Sequence, residues 1–413
     1  MVSDASWRPS CYRGSTDAAV DDGSQAHARR NLPGVTRRSK LPPWIGPAIG
    51  GVVVIAFAVV FALGWAYSSR IGAVVLDAEA TPLDLDLVVS ELGGGRIVVP
   101  RTERTVVEGV WGLAADDAYG QLGSIVQISE RDVERGFKTF EGSFSAGDRV
   151  AVDQDAFPGD PSRAHALGFD NVRVPAELGP NPAWFIDGRR TTWVVIVHGR
   201  GHDRRQALRI LPTLVEEGFP VLVVSYRNDG VGTPDRSGTS TWGLDEWRDL
   251  DAALALAQRK GAASFVLMGF DTGAEIISMT LHESSRTADV LGTIFDGPVL
   301  DLDDLARDVQ PGWAPGPIGA LGRELAEIRF SLDWEQLDQI ARADQFDVPV
   351  LILHGAKDAV VPIDRSLAFV AARPDLASLE RFERAGHGDL WNTDLGRYQD
   401  AVVGFLFAVA GEE

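Results

Sequence analysis

The sequence predicts an α/β protein, with a mostly parallel central sheet and a small helical lid, carried behind one transmembrane helix and a small β-rich domain. Three observations lead there. From about Pro182 onward, apolar runs alternate with amphipathic helical stretches, the pattern of a sheet covered on both faces. Between Leu41 and Ser69 no residue is charged. The chain between those regions holds short β-prone runs separated by Gly, Pro and Asp clusters.

Composition narrows the class. The chain has 413 residues, 45% hydrophobic and 24% charged, which excludes collagen-like, wholly disordered and disulfide-scaffold proteins. Its sole cysteine, Cys11, can form no intramolecular disulfide. A net charge of −20 argues against nucleic acid as a partner, because phosphate binding needs a basic footprint. The charge is uneven: residues 1–70 carry a net +4 and the remainder −24.

Residues 1–43, rich in Ser, Arg, Asp and Gly without apolar periodicity, are expected to form a disordered cytoplasmic tail. The transmembrane helix is expected over 44–68; Ile45 to Tyr67 is apolar and long enough to cross a bilayer. Trp44, Trp65 and Tyr67 sit at its ends, where amphipathic rings favour the interface. The basic cluster Arg29–Lys40 precedes it, so the positive-inside rule puts the N-terminus in the cytoplasm and the acidic bulk outside the cell membrane. The tail is long for a signal-peptide n-region, and the run exceeds a usual h-region, so an uncleaved single-pass anchor is expected.

A small β-rich domain is expected over 80–185, with strands at Arg96–Val99, Val106–Gly112, Ser124–Ile128, Val133–Phe140, Arg149–Val152 and Val172–Val174. It reads as a packing or spacer module. The α/β domain is expected over 186–413. Its strands are Trp193–Val197, Val221–Val224, Phe265–Met268, Leu291–Phe295, Val350–Leu353 and Leu379–Phe382. Its helices are Arg204–Glu217, Asp245–Arg259, Gly273–Glu283, Ser366–Ala372 and Tyr398–Ala410. The charged, Trp-containing sequence 299–346 interrupts the alternation as a lid.

Four segments carry chemistry. Gly269-Phe270-Asp271-Thr272-Gly273 follows a strand and opens a helix, the context of a nucleophile elbow, whose sharp turn needs small flanking residues. Asp358, on the loop after the strand Val350–Leu353, is placed as the acid of a triad. His387, after the next strand, is placed to accept a proton or activate water, oriented by Asp358. His198-Gly199-Arg200-Gly201 follows the first strand of this domain and matches an oxyanion-hole loop; the donors would be the amides of Arg200 and Thr272. His198 itself reads as a structural anchor, and Arg227 and Asp229 as a pair or cap. Asp301, Asp303 and Asp304 lack the spacing of a calcium loop, and no Walker or dinucleotide fingerprint appears in strand–helix context. No metal or cofactor is expected.

With these motifs in the order nucleophile, acid, base, the chain resembles the α/β-hydrolase superfamily. It looks most like actinobacterial membrane-anchored members related to serine esterases and aminopeptidase-type hydrolases. The likeness rests on TWVVIVHGRG (192–201), ALRILPTLVEEGFPVLVVSYRNDG (207–230), GLDEWRDLDAALALAQRKGA (243–262), FDGPVLD (295–301), VPVLILHGAKDAVVP (348–362) and AGHGDLWNTD (385–394). It implies an α/β-hydrolase fold with a small helical lid and a Ser–Asp–His site. The sequence departs from that pattern at the apex, where Asp271 stands in place of serine.

Two functions follow. In one, Asp271 is itself the nucleophile, as in the epoxide hydrolase and haloalkane dehalogenase branches of the superfamily. It would attack an sp³ carbon of a small-molecule substrate to form an alkyl ester that His387-activated water cleaves. The residues those branches use beside the nucleophile are not matched: Thr272 stands in the place of the dehalogenase Trp, no tyrosine falls within 299–346, and Gly201 replaces the Pro of the HGxP loop. In the other, the chain is an inactive, hydrolase-like extracytoplasmic binding module. The sequence names no protein partner.

Overall fold

The computed structural model describes residues 42, 44–77 and 82–411. The tail expected over 1–43, with Cys11, lies outside these residues apart from Pro42. The chain divides into two units at Ile55/Ala56.

Helix α1 spans Ile45–Val74, longer than the expected 44–68. In the first unit its apolar side chains Ile49, Val52, Val54 and Ile55 are exposed. In the second unit Phe57, Phe61 and Trp65 remain exposed, whereas Tyr67, Ile71, Val75 and Leu76 are buried. The helix continues because Tyr67, Ile71 and Val75, spaced at i, i+4 and i+8, form one apolar stripe that packs on the lid. Tyr67 is therefore no interfacial ring: its hydroxyl donates to Ala306 O at 2.6 Å. Close approach needs glycine here, since a Cβ on Gly322 would run into the Tyr67 ring and one on Gly64 into Leu321.

The small domain is a seven-stranded antiparallel sheet, ordered β1-β7-β4-β5-β6-β3-β2. Its strands are β1 (Leu87–Val88), β2 (Glu91–Gly93), β3 (Arg96–Pro100), β4 (Trp111–Ala114), β5 (Tyr119–Ile128), β6 (Asp132–Glu141) and β7 (Arg149–Asp153). Of the expected strand Val106–Gly112, only Trp111 and Gly112 are strand, as the start of β4; residues 106–110 form a loop that leads into it. Arg135, fully buried, explains why. Its guanidinium donates to the carbonyls of Thr105, Val107, Gly109 and Gly123 at 2.7–3.2 Å, so those oxygens face one cation rather than a neighbouring strand.

After α2 (Pro161–His165) come β8 (Asp170–Pro175) and β9 (Pro180–Ile186). Both belong to the large sheet, in the order β15-β14-β13-β12-β10-β11-β9-β8. Val172–Val174, expected in the small domain, thus forms the outer edge of the large sheet, and the boundary expected at 185/186 moves upstream of β8. The reason is antiparallel pairing of β9 with β11 (Val221–Val224) and of β8 with β9. The remaining strands, β10 (Thr192–Val197), β12 (Ser264–Phe270), β13 (Val290–Asp296), β14 (Val350–Gly355) and β15 (Ala377–Phe382), pair in parallel.

Alternate side chains of each strand feed two cores. Val194, Ile196, Val266 and Met268 face one, and Trp193, Val195, Phe265 and Leu267 the other. The helices are α3 (Leu211–Glu216), α4 (Trp247–Arg259), α5 (Thr272–Glu283), α8 (Asp364–Ala372), α9 (Leu390–Thr393) and α10 (Leu395–Ala410). The expected helix Arg204–Glu217 is a 3-10 turn, Arg204–Arg209, followed by α3; Pro212 opens a new helix rather than continuing one. Between β13 and β14 lie α6 (Leu302–Asp308) and α7 (Gly316–Phe330), where the lid was expected. Together with the end of α1 they form a separate core around Leu302, Ala306 and Leu337.

Candidate active site

The turn from β12 into α5 is forced by its sequence. Asp271 sits at φ 46°, ψ −117°, a conformation that costs a non-glycine residue about 1–3 kcal/mol. The glycines at either side permit it: a Cβ on Gly273 would run into Val197 O, and one on Gly269 into the backbone of Gly273 and Ala274. The amide of Asp271 donates to Asp296 O at 2.9 Å, and the Thr272 hydroxyl donates to Asp271 Oδ2 at 3.0 Å.

The strand ends bring the other predicted residues to this turn. His387, beyond β15, donates from Nδ1 to Asp358 Oδ2 at 2.9 Å, and its Nε2 lies 3.8 Å from Asp271 Oδ1. The Asp358 side chain is fully buried and accepts from the amides of Val360 and Val361 at 2.9 and 2.7 Å. Asp271, His387 and Asp358 are thus one connected constellation. Thr272 adjoins it as the first residue of α5, and Arg200, on the loop after β10, lines the same cavity. Arg200 Nη1 donates to Asp77 O at 3.0 Å, and its guanidinium lies 5.5 Å from the Trp242 ring centroid.

His198 lies outside the constellation as an anchor. It is buried, with Nε2 donating to Asp229 Oδ2 at 3.0 Å and Nδ1 2.9 Å from Gly199 O. Arg227 and Asp229 do not pair with each other. Arg227 binds Asp249, while Asp229 accepts from His198 and from the amides of Tyr226, Val231 and Gly232.

The electrostatics follow from burial and paired charge. Burial by itself would lower the His387 pKa, but the Asp358 hydrogen bond and the charges of Asp271, Asp358 and Asp296 outweigh it and push it up to about 9. Burial would raise Asp358, yet the His387 bond and charge hold it below the usual carboxylate value. Burial dominates at Glu275, pushed up to about 8 despite the bond from the Leu300 amide. That neutral carboxyl ties the elbow helix to the first turn of the lid.

Comparison with known proteins addresses the fold. The profile of a domain of unknown function (DUF8805) matches residues 88–153, which is the small sheet. No curated protein matches the chain. An esterase from Pyrococcus furiosus superposes with a TM-score of 0.50 at 18% identity, covering 62% of this chain and 98% of that one. A puromycin hydrolase superposes with a TM-score of 0.51 at 19% identity, covering 78% of this chain and 47% of that one. The fold is of the α/β-hydrolase type.

In that fold the site is a cavity of about 270 Å³ above the strand ends. Asp271, Asp296 and His387 line it, together with Gln154, Arg200 and His202. Val74 at the end of α1, Val75 directly after it, and Val299, Leu305 and Val309 from the segment between β13 and α7 line it as well. Several of these residues were not singled out in the sequence. His202 has Nδ1 3.2 Å from Asp155 Oδ1 and Nε2 3.1 Å from the Gln154 amide. Burial opposes its charged form, but Asp155 raises its pKa above the ordinary histidine value. The small domain, expected as a spacer, therefore reaches the site through the residues that follow β7. Asp296 was missed too; its Oδ2 accepts from the Tyr398 hydroxyl at 2.7 Å, and burial raises its pKa. Its place at a strand end beside Gly297 was the available signal. Gln154 and Asp155 offered none, since their contact with His202 spans 47 residues or more. Among the described residues, no group of three or more His, Cys, Asp or Glu is placed to hold a metal ion.

Proposed function

We propose that the chain is a membrane-anchored hydrolase in which Asp271 is the nucleophile, His387 the base and Asp358 the residue that orients it. The observation that carries this reading is the Asp271 carboxylate at a strained turn apex, 3.8 Å from the Nε2 of a histidine whose other nitrogen is bound by a buried carboxylate. A carboxylate suits attack on an sp³ carbon bearing a leaving group. Asp271 Oδ bonds to that carbon, the carbon–leaving-group bond breaks, and its electron pair departs with the leaving atom. The product is an alkyl ester of Asp271. Water then gives a proton to His387 Nε2 and bonds to the Asp271 carbonyl carbon, while the amides of Arg200 and Thr272 stabilise the oxyanion. Collapse breaks the ester C–O bond, the alkoxide takes the proton from His387, and the Asp271 acid so formed gives its remaining proton to solvent, which regenerates the carboxylate.

The charges make the sequence of steps coherent. Before reaction, Asp271 helps to hold His387 protonated. Esterification removes that negative charge, so the histidine pKa falls, its proton passes to the departing group or to solvent, and a free base appears when water needs one.

Intact mass of the full chain in detergent tests this reading. His387→Gln, incubated with epoxides, haloalkanes and activated esters, should accumulate an adduct that maps to Asp271. If the folded variant and the parent chain both keep an unchanged mass and turn over nothing, the inactive binding module is the correct reading. The orientation is testable with the sole cysteine. A membrane-impermeant maleimide should label Cys11 only after cells are permeabilised; labelling of intact cells would reverse the assignment.

A further inference from the structure

The cavity joins a carboxylate–imidazole pair to a set of aliphatic side chains. Asp271 and His387 line it, and so do the aliphatic side chains of Val74, Val75, Val299, Leu305, Val309 and Val360. Val74 is the last residue of the helix that is long and apolar enough to cross a membrane, and Val75 follows it directly.

That helix is fixed to the cavity. Tyr67 donates to Ala306 O, Arg70 Nε donates to Val309 O at 3.0 Å, and Trp242 Nε1 donates to Val75 O at 2.9 Å. Trp65 is 45% exposed, and the Arg329 guanidinium lies 3.9 Å from its ring centroid. An exposed indole beside an arginine suits the headgroup layer. With α1 entering the bilayer at that level, Val74 stands nine residues along the helix from Trp65, about 13 Å at 1.5 Å per residue. The aliphatic wall of the cavity then begins within reach of a chain that protrudes from the membrane.

Size supports partial entry. At about 270 Å³ the cavity lies at the lower end of the ~300–1,000 Å³ usual for sites that enclose a whole drug-sized ligand, too small for a long-chain molecule in full. It accommodates a reacting segment and leaves the rest of a long molecule outside, along α1.

We infer that the substrate is a single-chain amphiphile drawn from the bilayer, whose alkyl segment lies against Val74, Val75 and the lid while its electrophilic carbon meets Asp271. The inference rests on the hydrolase reading for the last contact only. The aliphatic wall and its link to α1 stand independently of the nucleophile.

The test uses the full chain in phosphatidylcholine nanodiscs that contain palmitic acid with a mid-chain diazirine. After irradiation and peptide mapping, labels are expected on the lid residues around Leu305 and Val309 as well as on the span before Trp65. Leu305→Trp, which fills the cavity, should cut the lid labels about tenfold, equivalent to about 1.4 kcal/mol, and leave the span labels unchanged. Val360→Trp, at an exposed position on the rim, should reduce the same labels where Leu305→Trp fails to fold. Labels confined to the span, or lid labels that neither substitution reduces, overturn the inference. The same nanodiscs with His387→Gln separate the two readings. A short soluble epoxide that alkylates Asp271 while the lipid leaves the cavity unlabelled overturns the amphiphile and keeps the nucleophile. Lipid in the cavity with Asp271 unmodified by a long-chain epoxide overturns the nucleophile and keeps the amphiphile site.

Discussion

Replacing Asp271 by Asn keeps the size of the side chain and removes its charge, so it isolates what that charge does to His387. The two groups are 3.8 Å apart, with side chains 17% and 24% exposed. At that distance a unit charge is worth about 1 kcal/mol in water and about 4 kcal/mol at an effective dielectric of 20. A partly exposed pair lies toward the lower figure, so the His387 pKa in Asp271→Asn should fall by about one to two pH units from its parent value of about 9. The assay is an NMR titration of the ¹³C-histidine-labelled full chain in micelles, with His387→Gln identifying its signal among the seven histidines. The unfolded chain titrates at about 6.5, below the folded value, so protonation of His387 favours the fold. That stabilisation is complete below about pH 6.5 and disappears as pH rises through about 9; in the variant its upper limit moves down. A His387 that still titrates near 9 in Asp271→Asn would refute the coupling, and with it the account of a base released by esterification.

Three further outcomes follow from the packing. Asp271→Gly should be more stable than Asp271→Ala by about 1 kcal/mol, since both lose the carboxylate and only glycine adopts the positive φ without strain; chemical denaturation compares them. Arg135→Met should destabilise the small sheet by roughly 3 kcal/mol or more, because several buried carbonyls lose their donor at about 1–3 kcal/mol each, seen as early loss of amide protection in β5 and β6. Gly322→Leu should lower the thermal midpoint through about 1–3 kcal/mol of overpacking against Tyr67, with the lid exchanging amide hydrogens faster than the large sheet.

The large sheet was legible because its strands are buried on both faces and read as continuous apolar runs. The elbow was legible because its glycines are demanded by close backbone approach, of Gly269 to the following turn and of Gly273 to Val197. What escaped depended on contacts distant in sequence. Val106–Gly112 has strand-like composition, yet its carbonyls are claimed by Arg135, and nothing near residue 106 announces that. Val172–Val174 reads as a strand but does not name its sheet; the pairing of β8 with β9 decides it. Tyr67 matches both an interfacial ring and a packing residue, and only the apolar lid beside it selects the second. Asp155 and Gln154 reach His202 across a domain boundary, where local pattern carries no information.

The end of α1 has a practical consequence. A spacer between membrane and catalytic region could be trimmed at will, but Tyr67 through Leu76 supply part of the lid core and one wall of the cavity. A soluble version that starts after Tyr67 would leave the Ala306 carbonyl without its phenolic donor and the lid core open to water. A faithful water-soluble protein must keep the helix from about Gly64 onward. Proteolytic cleavage within 67–76 would accordingly release a fragment with an opened lid core, so under the proposed function the anchor and the activity share one fate.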